Sequence, residues 1–209
     1  MSLWLVRVVP LLALLYALWW LAGIEQSVLA AIKVVMESIG PQVFSTVQSV
    51  AHSIEGGWKI TTTIRLVDDQ SAVAVLTVAP VFIKKSVIWI PAALALVLGS
   101  TPKKKTKSVG LALLLCGCAS VTLALICLAA HLAVVINGTA AMLDDDVLPL
   151  PPDFPLNVSP YPLWYFHLVT FAAYLGALIA PLAMPAIIWV VTCHKEIRAM
   201  ISTPKRPVF

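Results

Sequence analysis

Four histidines, four cysteines and ten carboxylates are the side chains in this 209-residue chain that could hold a metal, relay a proton or support nucleophilic chemistry. Their spacing argues against each. Cys116-Gly-Cys118 could bind a metal or cycle between thiol and disulfide, but no histidine or carboxylate lies beside it in sequence. All four cysteines (Cys116, Cys118, Cys127, Cys193) fall in or beside apolar runs, where cysteine acts as a small packing residue. His52, Asp68, Asp69 and Asp144 to Asp146 lie in polar segments without the spacing of a nucleophile and its base. There is no glycine-rich phosphate loop. The expectation is a chain that is not an enzyme and needs no cofactor or metal.

Two histidines stand apart because they lie in apolar runs: His131 deep in one, His167 near the start of the next. An ionisable residue inside a membrane span is a functional candidate by default. Neither has an Asp, Glu, Lys or Arg nearby in its span, so a proton relay lacks partners, and a hydrogen-bonded or interface histidine is the reading the sequence favours. Pro181 and Pro185 interrupt the last apolar run, in "APLAMPAIIW". Broken helices mark transport sites in larger proteins, whereas a proline pair without charged residues reads as a kinked packing helix. Small residues recur every fourth position at Ala112, Cys116, Ser120 and Ala124, and again at Ala172, Gly176 and Ala180. Such faces permit close helix approach, within the chain or to a membrane partner.

The elements that must position these residues are mostly membrane spans. The chain is 60% hydrophobic and only 11% charged, against about 25% charged in soluble proteins. Residues 1–24 read as a first span, retained rather than cleaved because "WWLAGIEQ" lacks a clear signal-peptidase site. Residues 86–100 form a second, short span that borrows apolar residues from Val81 to Ile83 or sits tilted beside longer helices, 108–136 a third and 163–193 a fourth. Between them lie a basic loop (101–107), an acidic, proline-rich loop (137–162) and a basic tail (194–209). Asn137-Gly-Thr139 and Asn157-Val-Ser159 in the acidic loop match the glycosylation sequon, which matters only in a eukaryotic secretory protein.

Residues 25–85 are different. Val28, Ile32, Val35, Ile39, Val43, Val47, Val50 and Ile54 recur at steps of three or four, which predicts an amphipathic helix interrupted at Gly40-Pro41 and stopped at Gly56-Gly57. Trp58, Ile60, Thr62, Ile64 and Leu66 then alternate with Lys59, Thr61, Thr63 and Arg65, the period of a strand. Asp68 to Ser71 supply a turn and "AVAVLTVAP" a return strand. A lone hairpin is marginal, so the preceding helix is expected to cover its apolar face. The fold class expected is mainly α: four transmembrane helices with a small external α+β insertion, an amphipathic helix plus a β-hairpin.

Charge sets the orientation. With both termini cytoplasmic, the inside holds Arg7, four loop lysines and four basic residues of the tail against Glu196 alone, while the outside holds nine acids and five bases. The basic balance therefore reports topology, and no nucleic-acid partner is expected.

The stretches "GGWKITTTIRLV", "VAPVFIKKSVIWIPAALALVLGS" and "GALIAPLAMPAIIWVV" resemble the exosortase H-associated membrane proteins of Gram-negative bacteria. The positions carrying the resemblance are Trp58, Thr62, Pro80, Pro91, Pro181, Pro185 and Trp189. The resemblance implies a bacterial inner-membrane, non-enzymatic accessory to a membrane-embedded transpeptidase that sorts envelope proteins. The partner would carry the chemistry. Contacts are expected through Trp58, Thr62 and Ile64 in the external module and through Ala172, Gly176 and Ala180 in the bilayer. Besides membrane lipid, the expected partner is another integral membrane protein, with homo-oligomers possible. The alternatives are a small transporter or channel component using His131, His167 and the Pro181/Pro185 break, and an assembly factor for secretion or conjugation machinery.

Overall fold

A computed structural model describes residues 2–52, 57–65, 73–100, 105–137 and 159–202. In chain order these form helices α1 (Ser2–Leu21) and α2 (Ile24–Val43), strands β1 (Val47–His52), β2 (Trp58–Arg65) and β3 (Val73–Val78), then helices α3 (Pro80–Lys85), α4 (Ile90–Gly99), α5 (Lys105–Ile136) and α6 (Leu163–Ser202). Among the described residues four stretches are long and apolar enough to cross a membrane: Trp4–Leu21, Pro80–Gly99, Lys105–Ile136 and Leu163–Lys195. At 1.5 Å per residue α5 runs for about 48 Å, beyond the ~30 Å of a bilayer core. The turn at Asp68 to Ser71, the Gly56 stop and most of the acidic loop lie outside the described residues.

The chain divides into two compact units. One comprises residues 1–26, 88–119 and 179–209. Here α1 packs on α4, and Gly99 makes the close approach: a Cβ at that position would overlap Val8 Cγ2, and the Val8 Cα would lie only 3.4 Å from it. Gly23 ends the α1 turn with φ +67°, a left-handed conformation glycine adopts without the Cβ penalty. Tyr16 donates to the Ile88 carbonyl at 3.0 Å. At the end of α4 the buried Ser100 hydroxyl accepts from both Trp4 Nε1 (3.2 Å) and Trp189 Nε1 and donates to the Leu96 carbonyl (2.9 Å). One donor and two acceptor lone pairs exhaust a hydroxyl.

The other unit comprises residues 27–87 and 120–178. Its sheet is antiparallel with strand order β1-β2-β3, a correction to the expected hairpin. Residues 47–52, expected as the second half of an amphipathic helix, form β1. The reason is a bulge: Val47 pairs with Thr62 and Ser49 with Thr61, so β1 carries an extra residue there. The two buried valines, Val47 and Val50, end up three apart, a spacing that imitates a helix.

Nor does Gly40-Pro41 interrupt α2, which continues to Val43. Its buried stripe is Ile32, Met36 and Gly40, at steps of four. Gly40 is a contact rather than a break: a Cβ there would lie 3.5 Å from Val50 Cγ2 and 4.0 Å from Leu128 Cδ2. The sheet's inner rows run Val50–Ile60–Leu76 and Trp58–Val78, all buried. Gly57 sits where a Cβ would overlap the Val78 carbonyl oxygen. Pro80 opens α3 at a position where its missing N–H costs nothing, and Lys84 and Lys85 lie in the last turn, favourable to the helix dipole.

Within this unit Ser120 Oγ donates to the Ser86 carbonyl at 2.9 Å. The Asn137 side chain donates to the Tyr161 carbonyl (3.2 Å) and accepts from the Tyr161 N–H (3.0 Å), clasping the two ends of the acidic loop. Pro181 and Pro185 lie inside a helix that runs on past them; the departure from helical torsions in α6 is at Cys193 (φ −120°, ψ 21°).

Candidate functional site

Two features of the sheet-bearing unit could engage another molecule. The first is the sheet itself. Its outer rows are Ala51–Lys59–Thr77 and Ser49–Thr61–Val75, exposed except for the half-buried Thr61. The two edges differ. The bulge in β1 distorts that edge, the usual way an edge is blunted. β3 pairs in unbroken register from Val75 to Val78, and the extra residues of its irregularity belong to β2, between Thr61 and Arg65. The β3 sequence, VAVLTV, carries neither charge nor proline. Among the described residues it therefore presents an edge of backbone donors and acceptors without the usual guards, next to an outward Val75 that is 46% exposed.

The second is a cavity of about 310 Å³ bounded by α3, by α5 from Leu123 to Val134 and by α6 from Thr170 to Leu178. Its walls are mainly aliphatic, and among the described residues Lys85 is the one formally charged side chain in the lining. Phe82 organises the polar groups: the Lys85 ammonium stands 5.7 Å from its ring centroid and the His131 ring meets it edge-on at 5.5 Å. His131 Nδ1 is 2.8 Å from the Cys127 carbonyl oxygen. A carbonyl only accepts, so in the neutral ring the proton sits on Nδ1 and Nε2 is the acceptor. The Thr170 hydroxyl, also in the lining, is buried without a hydrogen-bond partner among the described residues.

The residues singled out in the sequence distribute as follows. Trp58, Thr62 and Ile64 are buried on the inner face of β2, so they build the sheet's core; the face open to contact carries their neighbours Lys59, Thr61 and Thr63. Gly176 lines the cavity and packs on Leu123, whose Cδ2 would lie 2.8 Å from an added Cβ. Ala172 is half-buried and Ala180 buried. His131 is in the cavity wall; His167 is exposed, does not line it, and stacks edge-on with Phe166 at 5.3 Å. Ala112, Cys116, Ser120 and Ala124 are all buried. Among the described residues no three His, Cys, Asp or Glu side chains converge as a metal site.

Sequence reading missed Phe82, Lys85 and Thr170. Phe82 and Lys85 share a helix face at a spacing of three, and Cys127 and His131 at a spacing of four, but no pattern along the chain joins three segments into one cavity. Comparison with family models, with curated proteins and with solved structures yields no match.

Proposed function

We propose that the chain is a four-span, non-enzymatic accessory subunit of a bacterial inner-membrane complex, with both termini cytoplasmic. Its external sheet captures an extended segment of a partner or substrate by adding a strand at β3. The observation that carries this reading is the regular, uncharged, proline-free β3 edge, since strand addition needs an unguarded row of backbone groups and alternate side chains to read. The resemblance to exosortase-associated proteins supplies the partner to look for, a polytopic cysteine transpeptidase whose substrates pass through the envelope. An assembly factor for secretion machinery would use the same edge on a different partner.

The experiment is a gentle detergent pull-down of the tagged full-length protein, with mass spectrometry of what accompanies it, for the wild type and for Val75→Lys. Val75 is on the outer face, so lysine is accommodated by the fold while guarding the edge. Recovery of a transpeptidase or translocation component with the wild type, and its loss with Val75→Lys, supports the reading. Recovery of the protein alone, as a homo-oligomer, sinks it and makes transport through the His131 region the hypothesis to test.

A further inference from the structure

We propose that the cavity between α3, α5 and α6 is a lipid site: it takes one acyl chain of an anionic phospholipid and pairs the headgroup phosphate with Lys85. Three observations carry this. The volume, about 310 Å³, is at the lower end of ligand pockets, roughly 300 to 1,000 Å³, and the lining is almost wholly aliphatic and aromatic. Such walls do not hold a water cluster, because each buried water needs two to four polar partners. The three helices that form its walls belong to stretches apolar enough to lie in a bilayer, where the abundant apolar ligand is a lipid chain.

The headgroup preference comes from charge. Lys85 closes the last turn of α3, half-buried, with its ammonium over the Phe82 ring, and no ion pair to it occurs among the described residues. A phosphate there would meet the cation, and the same lining holds the Thr170 hydroxyl, buried without a hydrogen-bond partner among the described residues. His131, held by the Cys127 carbonyl with its proton on Nδ1, lines the cavity and packs edge-on against Phe82. This inference does not depend on the β3 edge, and either can fail alone.

The test is native mass spectrometry of the full-length protein in nonionic detergent with dioleoylphosphatidylglycerol or dioleoylphosphatidylcholine. One lysine against an anionic headgroup corresponds to a preference of about fivefold. The wild type is expected to retain one phosphatidylglycerol with that preference. Lys85→Gln should hold either lipid equally, and Ala177→Phe, which fills the cavity from a half-buried wall position, should release both. Glycerol phosphate at the same concentration should not displace the lipid. Equal retention of the two lipids by the wild type, or unchanged retention in Ala177→Phe, overturns the proposal by showing surface lipid only. Displacement by glycerol phosphate overturns it too, because the site would then bind an anion without a chain. Should Ala177→Phe lose its thermal transition, the headgroup comparison in wild type and Lys85→Gln and the competition decide by themselves.

Discussion

Replacing Ser100 with alanine tests the hydrogen-bond junction at the end of α4. The hydroxyl accepts from the indole N–H groups of both Trp4 and Trp189, whose rings pack at 5.3 Å between centroids with a 33° tilt. Alanine leaves that ring pair in place and strands two partly buried donors. A stranded buried donor costs about 1 to 3 kcal/mol. Because both indoles are only partly buried, the expected loss for the pair is about 2 to 4 kcal/mol. The assay is reversible unfolding in mixed micelles by SDS titration, followed by tryptophan emission. A second variant supplies the sign: Trp189→Phe removes one N–H, so it should destabilise the wild type but be milder, or stabilising, in the Ser100→Ala background. A coupling of about 1 kcal/mol is expected from such a cycle. If Ser100→Ala lies within about 0.5 kcal/mol of wild type, or if Trp189→Phe costs the same in both backgrounds, the junction does not hold the helices and the reasoning is wrong.

Three further outcomes are expected. Gly99→Ala should destabilise by about 1 to 3 kcal/mol through the clash with Val8, and Val8→Ala should restore much of the loss in thermal scanning of the double variant. Asn137→Ala removes both bonds to the Tyr161 backbone, costing about 1 to 2 kcal/mol and speeding amide exchange at Tyr161; unchanged exchange there would remove the clasp from consideration. Burial, with Tyr165 adding to it and the Thr46 hydroxyl opposing, raises the Tyr161 phenol above its ordinary value of 10.0. The neutral form is thus favoured in the folded state, and the associated stability is complete below pH 10 and lost as pH rises through the folded-state value. Tyr161→Phe should flatten the stability profile above pH 10; an identical alkaline slope in the variant would show that Tyr161 does not contribute.

What was legible in the sequence was whatever a period of two or of simple hydrophobicity encodes. Alternation in β2 put Trp58, Ile60, Thr62 and Ile64 on one face, and all four are buried. The apolar runs gave helices of spanning length. Alternation cannot say which strand is central, however, and β2 turned out to pair on both sides. A bulge defeats it altogether, as Val47 and Val50 show. Glycine and proline are likewise ambiguous from sequence alone. Gly40 serves an approach of α2 to Val50 and Leu128, and Pro41 lies close enough to the end of α2 that few backbone bonds are affected. The cavity is illegible in principle, because it is defined by where side chains from residues 82 to 178 fail to fill space.

The small-residue faces bear on where a partner can dock. On α5 the step-of-four series Ala112, Cys116, Ser120 and Ala124 is buried within the chain, and Ser120 spends its hydroxyl on the Ser86 carbonyl. On α6 Gly176 is taken up by Leu123. Close helix approach, the one advantage these residues offer a membrane partner, is thus already used internally at each of these positions. Large residues on the same helix, Leu168, Phe171, Tyr174 and Leu178, remain exposed, as lipid-facing positions would be. The partner proposed above would then meet the sheet, where Lys59, Thr63, Val75 and Thr77 stand exposed. Disruption in the two regions should differ in kind: enlarging Ala112 should cost folding, whereas guarding β3 at Val75 should cost only the partner.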